Sequence, residues 1–278
     1  MSLPAILPDT WLLVQMSVLL IAIGAVAGVV AGLLGVGGGI VLVPAFFYAF
    51  TALGYGGPQL MQVCLATSLA TIIVTSWKSV RMHHARGAVD WQILRGWAPW
   101  IAAGTVAGVL VAAGLRSVVL QGIFGVLGLL VGLYLAFGRP HWRLGDAMPG
   151  GIRRAIMAPV LGFLSVLMGI GGGSFGVPLM SLYAVPIHRA VATASGFGMV
   201  IAVPSVIGFL LLWPAGAPPL TFGAINLPAF LLVIGTTYIT TPWGVKLAHS
   251  MDAKPLKRVF AVFIMLMAGN MLRKALGF

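Results

Sequence analysis

The sequence LGVGGGIVLVP at residues 34–44 constrains the fold more than any other stretch, because it returns as MGIGGGSFGVP at residues 168–178. Each copy places three consecutive glycines inside an apolar stretch that is otherwise typical of a membrane helix. Glycine is about 1 kcal/mol less favourable than alanine within a helix, and an unwound turn frees backbone N–H and C=O groups that hydrocarbon cannot satisfy. Two matched breaks of this kind indicate a membrane protein with its binding site between two repeats.

The composition requires a lipid environment. The chain has 278 residues, of which 60% are hydrophobic and 7% are charged, and its mean hydropathy is +1.08. A soluble domain carries about 25% charged residues, so the sequence predicts an all-α integral membrane protein surrounded by the lipid bilayer. The net charge of +12 does not indicate a nucleic-acid partner, because the basic residues fall in short connections between apolar stretches. We predict no cofactor and no metal.

Ten apolar stretches account for most of the chain, and most approach the about 20 residues that a spanning helix needs. The two stretches that follow the glycines, 39–53 and 173–185, are shorter. Hydropathy alone leaves open whether these two cross the bilayer, form half-helices or re-enter on the same side. The stretches are approximately 12–34, 39–53, 61–80, 92–114, 118–138, 152–168, 173–185, 190–212, 226–248 and 256–275.

The positions of the basic residues predict an orientation. If all ten stretches cross and the N-terminus is outside, only Arg116, Arg273 and Lys274 of the 16 Lys and Arg residues lie outside. Inside connections of membrane proteins carry the excess of basic residues, so we expect both termini on the periplasmic side of a bacterial inner membrane. Three of the acidic residues precede apolar stretches, where helix N-caps belong: Asp9, Asp90 and Asp252.

The two halves resemble each other beyond the glycines. Gly35 and Pro44 match Gly169 and Pro178 at an offset of 134. Five apolar stretches in each half is an odd number, so the second half must be upside down relative to the first. The sequence therefore predicts two inverted five-helix repeats, residues 1–140 and 141–278. Further matches are Ala66-Thr67 with Ala192-Thr193, residues 87–91 with 223–227, Leu120 with Leu256, and Phe124 with Phe260.

An unwound turn at each glycine triplet predicts a site for a small anion. The helix that resumes near Ile40 or Ser174 presents unpaired N–H groups and the positive end of its dipole, which together bind anions. The alternative of a cation held by carbonyls is less favoured, because no Asp or Glu lies within the apolar stretches. The predicted site residues at the breaks are Gly37, Gly38, Gly39, Gly171, Gly172, Gly173 and Ser174.

Close helix packing is the other explanation for glycine in membrane helices. We expect packing to account for the scattered glycines, which lack consecutive neighbours: Gly104, Gly108, Gly125 and Gly128. For the two triplets we favour the anion site, because three consecutive glycines unwind a turn, whereas packing needs glycines spaced along one face of the helix.

A polar stripe lies beside the first break. Thr67, Thr71, Thr75 and Lys78 fall within about 80° of arc on an α-helix, which suggests an anion path toward the inner surface. Alternatively, the threonines bond to carbonyls of their own helix and Lys78 only extends to the membrane surface. The second half has hydroxyls at Thr193, Ser195 and Ser205 but not the stripe.

The duplicated GxGGG…P run, followed in each half by small hydroxyl residues, resembles the sulfite exporter family TauE/SafE from about Ala31 to Leu272. The resemblance implies export of sulfite or small organosulfur anions across the bacterial inner membrane. It also implies that the glycine triplets line the site, flanked by Thr67, Ser68 and Thr193. In the second copy the sequence is Thr193-Ala194-Ser195 instead of a Thr-Ser pair, which places the second hydroxyl one residue later.

These patterns together predict a carrier for a small sulfur-containing anion that works by alternating access and is not an enzyme. One alternative is an anion channel that uses the same site. Another is a membrane-embedded enzyme or partner subunit without transport. The run Gly172–Gly176 fits the G-x-S-x-G pattern of hydrolases, but that motif needs a strand–turn–helix and a His–acid pair, and no carboxylate lies near it.

Overall fold

The fold is almost entirely α-helical. A computed structural model of the chain describes residues 10–34, 38–138, 142–250 and 254–277. The described residues form ten helices and a two-stranded hairpin, β1 (Thr221–Phe222) and β2 (Ile225–Asn226). The helices are α1 (Thr10–Leu34), α2 (Gly39–Ala52), α3 (Leu60–His84), α4 (Trp91–Gly114), α5 (Ser117–Phe137), α6 (Gly151–Met168), α7 (Gly173–Leu182), α8 (Ile187–Leu210), α9 (Leu227–Ser250) and α10 (Lys254–Ala275).

Six of the helices in the described residues are long and apolar enough to cross a membrane: α1, α3, α4, α5, α6 and α8. The helices after the glycine runs are short. With 14 residues in α2 and 10 in α7, they extend about 21 Å and 15 Å, which is less than the about 30 Å of bilayer hydrocarbon. These two helices are therefore too short for complete crossings, and ten full crossings are not what the structure shows.

Glycines on one helix allow close approach of the next. A Cβ added at Gly104 would collide with the backbone of Pro159, and one at Gly108 would lie 3.0 Å from the Phe163 carbonyl oxygen. A Cβ at Gly125 or Gly128 would meet α10, at 2.7 Å from the Leu272 Cβ and 2.8 Å from the Ala268 Cβ respectively. The packing role predicted for these four glycines is confirmed.

The six most extensive helix pairings are unchanged when the first five helices are exchanged with the second five. α1 packs on α9 as α6 packs on α4, and α4 packs on α8 as α9 packs on α3. The pairs α5–α10 and α3–α8 correspond to themselves. The division into repeats at residues 140 and 141 stays a prediction, because residues 139–141 lie outside the described part of the chain.

Contacts between connections place them at two ends of the bundle. At one end, Arg189 Nη2 lies 3.5 Å from Asp90 Oδ2, and Arg86 Nη1 donates to the Val245 carbonyl at 3.1 Å. At the other end, the Ser117 N–H donates to the Pro58 carbonyl at 2.6 Å. We call the first the basic end, because it carries the described arginines near helix ends on that side: Arg81, Arg86, Arg95, Arg154 and Arg189.

Asp90 begins α4 as predicted. Its Oδ1 accepts hydrogen bonds from the N–H groups of Gln92 and Ile93, both at 3.1 Å, which is the geometry of an N-cap. Asp9 and Asp252, for which the same role was predicted, lie outside the described residues.

Candidate anion site at the helix breaks

The second break begins with a cap that satisfies the end of α6. Gly169 has φ +62°, its N–H donates to the Val166 carbonyl at 2.8 Å, and the Ile170 N–H donates to the Ser165 carbonyl at 3.0 Å. This pairing is a Schellman motif, which needs a left-handed residue and therefore favours glycine. Ser68 Oγ donates to the Gly169 carbonyl at 2.8 Å. Because the protein itself occupies these carbonyls, they are poor candidates for cation ligands.

The first break ends at Gly38, the residue that precedes α2. Gly38 has φ +78°, and its carbonyl accepts from the N–H groups of Val41 and Leu42 at 3.0 and 3.2 Å. A Cβ at this position would lie 3.0 Å from the Ala27 carbonyl oxygen, so both the conformation and the space favour glycine. Residues 35–37, including the predicted site residue Gly37, lie outside the described residues.

The two breaks come together in the interior. A Cβ at Gly39 would collide with the Gly169 carbonyl oxygen and lie 2.9 Å from the Ile170 Cα and from Cδ1 of Ile72. Ile72 is the midpoint of α3, and Gly38–Val43 and Gly169–Ser174 are buried in protein. The breaks therefore meet about halfway along α3, and a binding site between two repeats at this point stays a prediction.

Gly172 also packs tightly. A Cβ there would collide with the Phe197 Cβ and lie 2.9 Å from the Ala194 carbonyl oxygen of α8. Close packing thus accounts for the absence of a side chain at both Gly39 and Gly172. Lining of an anion site by these two residues and by Gly171 and Gly173 stays a prediction.

Ser174 places a hydroxyl at the start of α7. It lies in the first turn of α7 and is 4% exposed, and its Oγ has no hydrogen-bond partner among the described residues. Ser165, on α6 one turn before the break, is likewise buried with an unpartnered Oγ. Two buried hydroxyls and the start of a helix can donate hydrogen bonds to an anion. Ser165 was missed from the sequence, although its place one turn before Gly169 was a usable signal.

Thr67 and Thr193 each hydrogen-bond to a connection between helices in the other half of the chain. Thr67 Oγ1 accepts from the Asn226 N–H at 3.0 Å, and Thr193 Oγ1 accepts from the Asp90 N–H at 2.9 Å. Both pairs join positions that match between the two halves of the sequence. A hydroxyl that accepts one hydrogen bond can also donate one, so the predicted substrate contact stays a prediction. The sequence matches were recognised, but the bonds between them were not.

Thr71 and Thr75 of the predicted stripe on α3 bond to carbonyls of their own helix, as the alternative explanation expects, while the substrate contacts of Thr71 and Lys78 stay predictions. Thr71 Oγ1 donates to the Ser68 carbonyl at 2.7 Å, and Thr75 Oγ1 lies 3.2 Å from the Thr71 carbonyl. Lys78 Nζ donates to the Tyr238 carbonyl and lies 3.3 Å from the centre of the Tyr238 ring. The ammonium group is thus directed to α9, and these contacts give no support to an anion path along this face.

The Ser195 hydroxyl bonds to α3 and to its own helix, and its predicted substrate contact stays a prediction. Its Oγ is 3.0 Å from Ser79 Oγ and also donates to the Val191 carbonyl at 3.1 Å. The contact is between α3 and α8, toward the basic end. Ser76 and Ser79, which share this region, were not identified from the sequence.

Comparison with known proteins identifies the family. The family model described as "Sulfite exporter TauE/SafE" matches residues 20–271. The chain belongs to the TauE/SafE family. A TauE/SafE assignment agrees with the broken helices and with the resemblance noted from the duplicated motif. No solved structure matches the chain.

Relatives of this TauE/SafE protein carry transporter names. A probable membrane transporter protein of Haemophilus influenzae is 30% identical over 260 residues, covering 92% of this chain and 98% of the relative. A probable membrane transporter protein of Methanocaldococcus jannaschii is 25% identical, covering 86% and 89%. YunE of Bacillus subtilis, also a probable membrane transporter protein, is 32% identical over 64% of this chain and 72% of its own length. The chain is therefore a multi-pass membrane protein of a transporter family.

Proposed function

We propose that this protein exports a small sulfur-containing anion, sulfite or an organosulfonate, across the bacterial inner membrane by alternating access. The observation that carries the proposal is the buried hydroxyl of Ser174 in the first turn of α7, which has no hydrogen-bond partner in the part of the chain that the structure describes. A helix N-terminus has a partial positive charge, which attracts an anion. A hydroxyl beside it can donate a hydrogen bond to an oxyanion without first breaking a bond to another described residue.

The charges of the helices favour an anion over a cation. No Asp or Glu lies in any of the ten helices of the described residues. Backbone N–H groups and hydroxyls can bind an anion without a Lys or Arg side chain. The anion is then not held by a full positive charge, which would slow its release from the site. Export would also follow the membrane potential, which favours anion exit by about 2.3 kcal/mol per charge per 100 mV.

The helix pairings support alternation between two inverted repeats, residues 1–140 and 141–278. When the two sets of helices are exchanged, the pair α1–α9 becomes the pair α6–α4, and the pair α3–α8 becomes itself. A site between two such sets can be exposed to either side in turn. Clustering of arginines at the basic end supports an orientation with that end in the cytoplasm and both termini in the periplasm.

Transport by purified protein in liposomes tests the proposal. We expect saturable uptake of radiolabelled sulfite or a short alkanesulfonate, with acceleration by the same anion on the opposite side. Saturable uptake without that acceleration, and with currents too large for a carrier, would favour the anion channel. Absence of flux for every sulfur oxyanion, in protein that remains folded, would contradict the proposal and favour a membrane enzyme or partner subunit.

A further inference from the structure

The crossing of α3 and α8 contains a small group of buried serines. Ser76 lies directly against Gly198, and Ser79 Oγ is 3.0 Å from Ser195 Oγ. Later residues of α3 meet earlier residues of α8, so the two helices run antiparallel here. We call Ser76, Ser79 and Ser195 the serine cluster. It lies in the half of the crossing nearer the basic end, because Ser79 is near the His84 end of α3 and Ser195 is nearer the start of α8.

The serine cluster is closed in this structure and incompletely satisfied. Ser76 and Ser79 are each 2% exposed, and Ser195 is 1% exposed. The Ser76 Oγ has no hydrogen-bond partner among the described residues. A buried hydroxyl without a partner is unfavourable, so its retention in a packed helix crossing calls for an explanation beyond packing.

The other half of the same crossing is apolar. At the offset of 126 that relates Thr67 to Thr193, Ser76 corresponds to Ala202, Ser195 to Leu69 and Gly198 to Ile72. Leu69, Ile72 and Ala202 are fully buried. Ser79 corresponds to Ser205, but the Ser205 hydroxyl donates to the Ile201 carbonyl of its own helix at 2.7 Å. The half toward the basic end, which we call the polar half, therefore has three serines, whereas the matching positions of the other half, which we call the hydrocarbon half, have one.

We propose that the polar half of the α3–α8 crossing opens to water and is the route by which the anion reaches the helix breaks from the basic end. The serine cluster donates hydrogen bonds to the passing oxyanion. On closure the Ser79 and Ser195 hydroxyls bond to each other again. The inference rests on the proposed function, because it names the entry route to the same site.

The physical reason for the choice of side is hydration. Water can replace the hydrogen bond between the Ser79 and Ser195 hydroxyls at little cost. Water can also hydrogen-bond to the Ser76 Oγ. Opening of the hydrocarbon half would instead expose Leu69, Ile72 and Ala202 to water, which is unfavourable in proportion to the apolar area. A crossing with these two halves separates most easily at the serine cluster.

Cysteine accessibility tests the route. Cys64 is the single cysteine, so Cys64→Ala gives a cysteine-free parent into which Ser79→Cys, Ser195→Cys or the matched control Ser205→Cys is introduced. Ala85→Cys and Ala215→Cys report the two ends, because both positions are exposed. Each variant is treated in inside-out and right-side-out vesicles with membrane-impermeant methanethiosulfonates, one bearing a sulfonate and one a quaternary ammonium.

We expect Ser79→Cys and Ser195→Cys to react from the side that labels Ala85→Cys, at least tenfold faster than Ser205→Cys reacts from either side. The sulfonate reagent should react faster than the ammonium reagent. As a second measurement, Ser79→Ala and Ser195→Ala, which keep the packing, should raise the KM for the anion severalfold on the basic side only.

The outcomes separate the route from the proposed function. If Ser79→Cys and Ser195→Cys are unreactive while the parent transports the anion, or if the serine-to-alanine variants change KM equally on both sides, the route is wrong and the function stands. If the cysteines react as expected but no variant or parent transports an anion, the proposed function is wrong, and the opening of the serine cluster stands as a water-accessible crevice.

Discussion

The first and second helix breaks start their short helices at matching glycines but differ in side chains. Both short helices begin at the third glycine of a triplet, Gly39 and Gly173. At the offset of 134, however, Ser165 and Ser174 correspond to Ala31 and Ile40. Both serine hydroxyls are buried and lack partners within the described ranges, whereas Ala31 and Ile40 are buried hydrocarbon. In the proposed site we therefore expect the second break to supply the side-chain hydrogen bonds to the anion.

The largest effect is expected where the two breaks touch. Gly39→Ala adds a methyl group against the Gly169 carbonyl and the Ile170 Cα, which are backbone atoms that cannot rotate away. Overpacking of this kind costs about 1–3 kcal/mol or more, so thermal melting in detergent should occur at a clearly lower temperature. Gly269→Ala, where a Cβ meets nothing within 4 Å, should melt like the parent. Equal melting of the two variants would show that the breaks do not meet.

The next largest effect is expected at Ser174, and it tests whether the two breaks contribute unequally to anion binding. Ser174→Ala removes a hydroxyl with no bond inside the described protein, so folding should be unaffected. A lost hydrogen bond to a charged group is worth about 1.5–3 kcal/mol, or about tenfold to hundredfold in anion affinity. Isothermal titration with sulfite or a sulfonate measures it, with Ser205→Ala as the control. Unchanged affinity in Ser174→Ala would remove the second break from the binding site.

A smaller effect, on stability, is expected at Asp90, which caps α4 and contacts Arg189 of the second half. Asp90→Ala should lower stability by about 1 kcal/mol, because it removes the N-cap of α4 together with the contact to Arg189. Asp90→Asn, which copies Asn226 of the second half, should retain most of that stability, since Asn caps as well as Asp. Melting temperatures distinguish the two. A loss in Asp90→Asn as large as in Asp90→Ala would mean that the ion pair, not the cap, is the important interaction.

The smallest effect is expected at Lys78. Its ammonium lies over the Tyr238 ring at the surface of the bundle, away from both breaks, so Lys78→Met should change anion KM less than about twofold, a difference under about 0.5 kcal/mol. Transport kinetics with monovalent and divalent anions measure this. A selective loss with divalent anions would restore the stripe on α3 as an anion path.

The elements that were predicted correctly depend on local chemistry. Glycine triplets end helices because of their backbone entropy, and thus the short helices α2 and α7 follow them. Asp90 caps α4 because its side chain reaches N–H groups two and three residues later. The scattered glycines pack against neighbours because small residues permit close approach. None of these predictions needs knowledge of a distant contact.

The stripe on α3 and the serine cluster show where such reasoning ends. Helical periodicity correctly places Thr67, Thr71, Thr75 and Lys78 on related faces, but it does not say which neighbouring helix each one meets. Lys78 donates a hydrogen bond to the Tyr238 carbonyl of α9, and the Ser79 hydroxyl bonds to the Ser195 hydroxyl of α8. These partners are separated by more than one hundred residues, and only the packing of the helices brings them together.

The sequence by itself determined that the chain is a membrane protein, that its helices break twice, and where each break falls, because hydropathy and glycine act over a few residues. The tertiary structure decided that the two breaks meet beside Ile72, that Thr67 and Thr193 hold opposite connections, and that the α3–α8 crossing has a polar and an apolar half. Those features arise from long-range contacts, whose energies depend on which surfaces the folded bundle buries together.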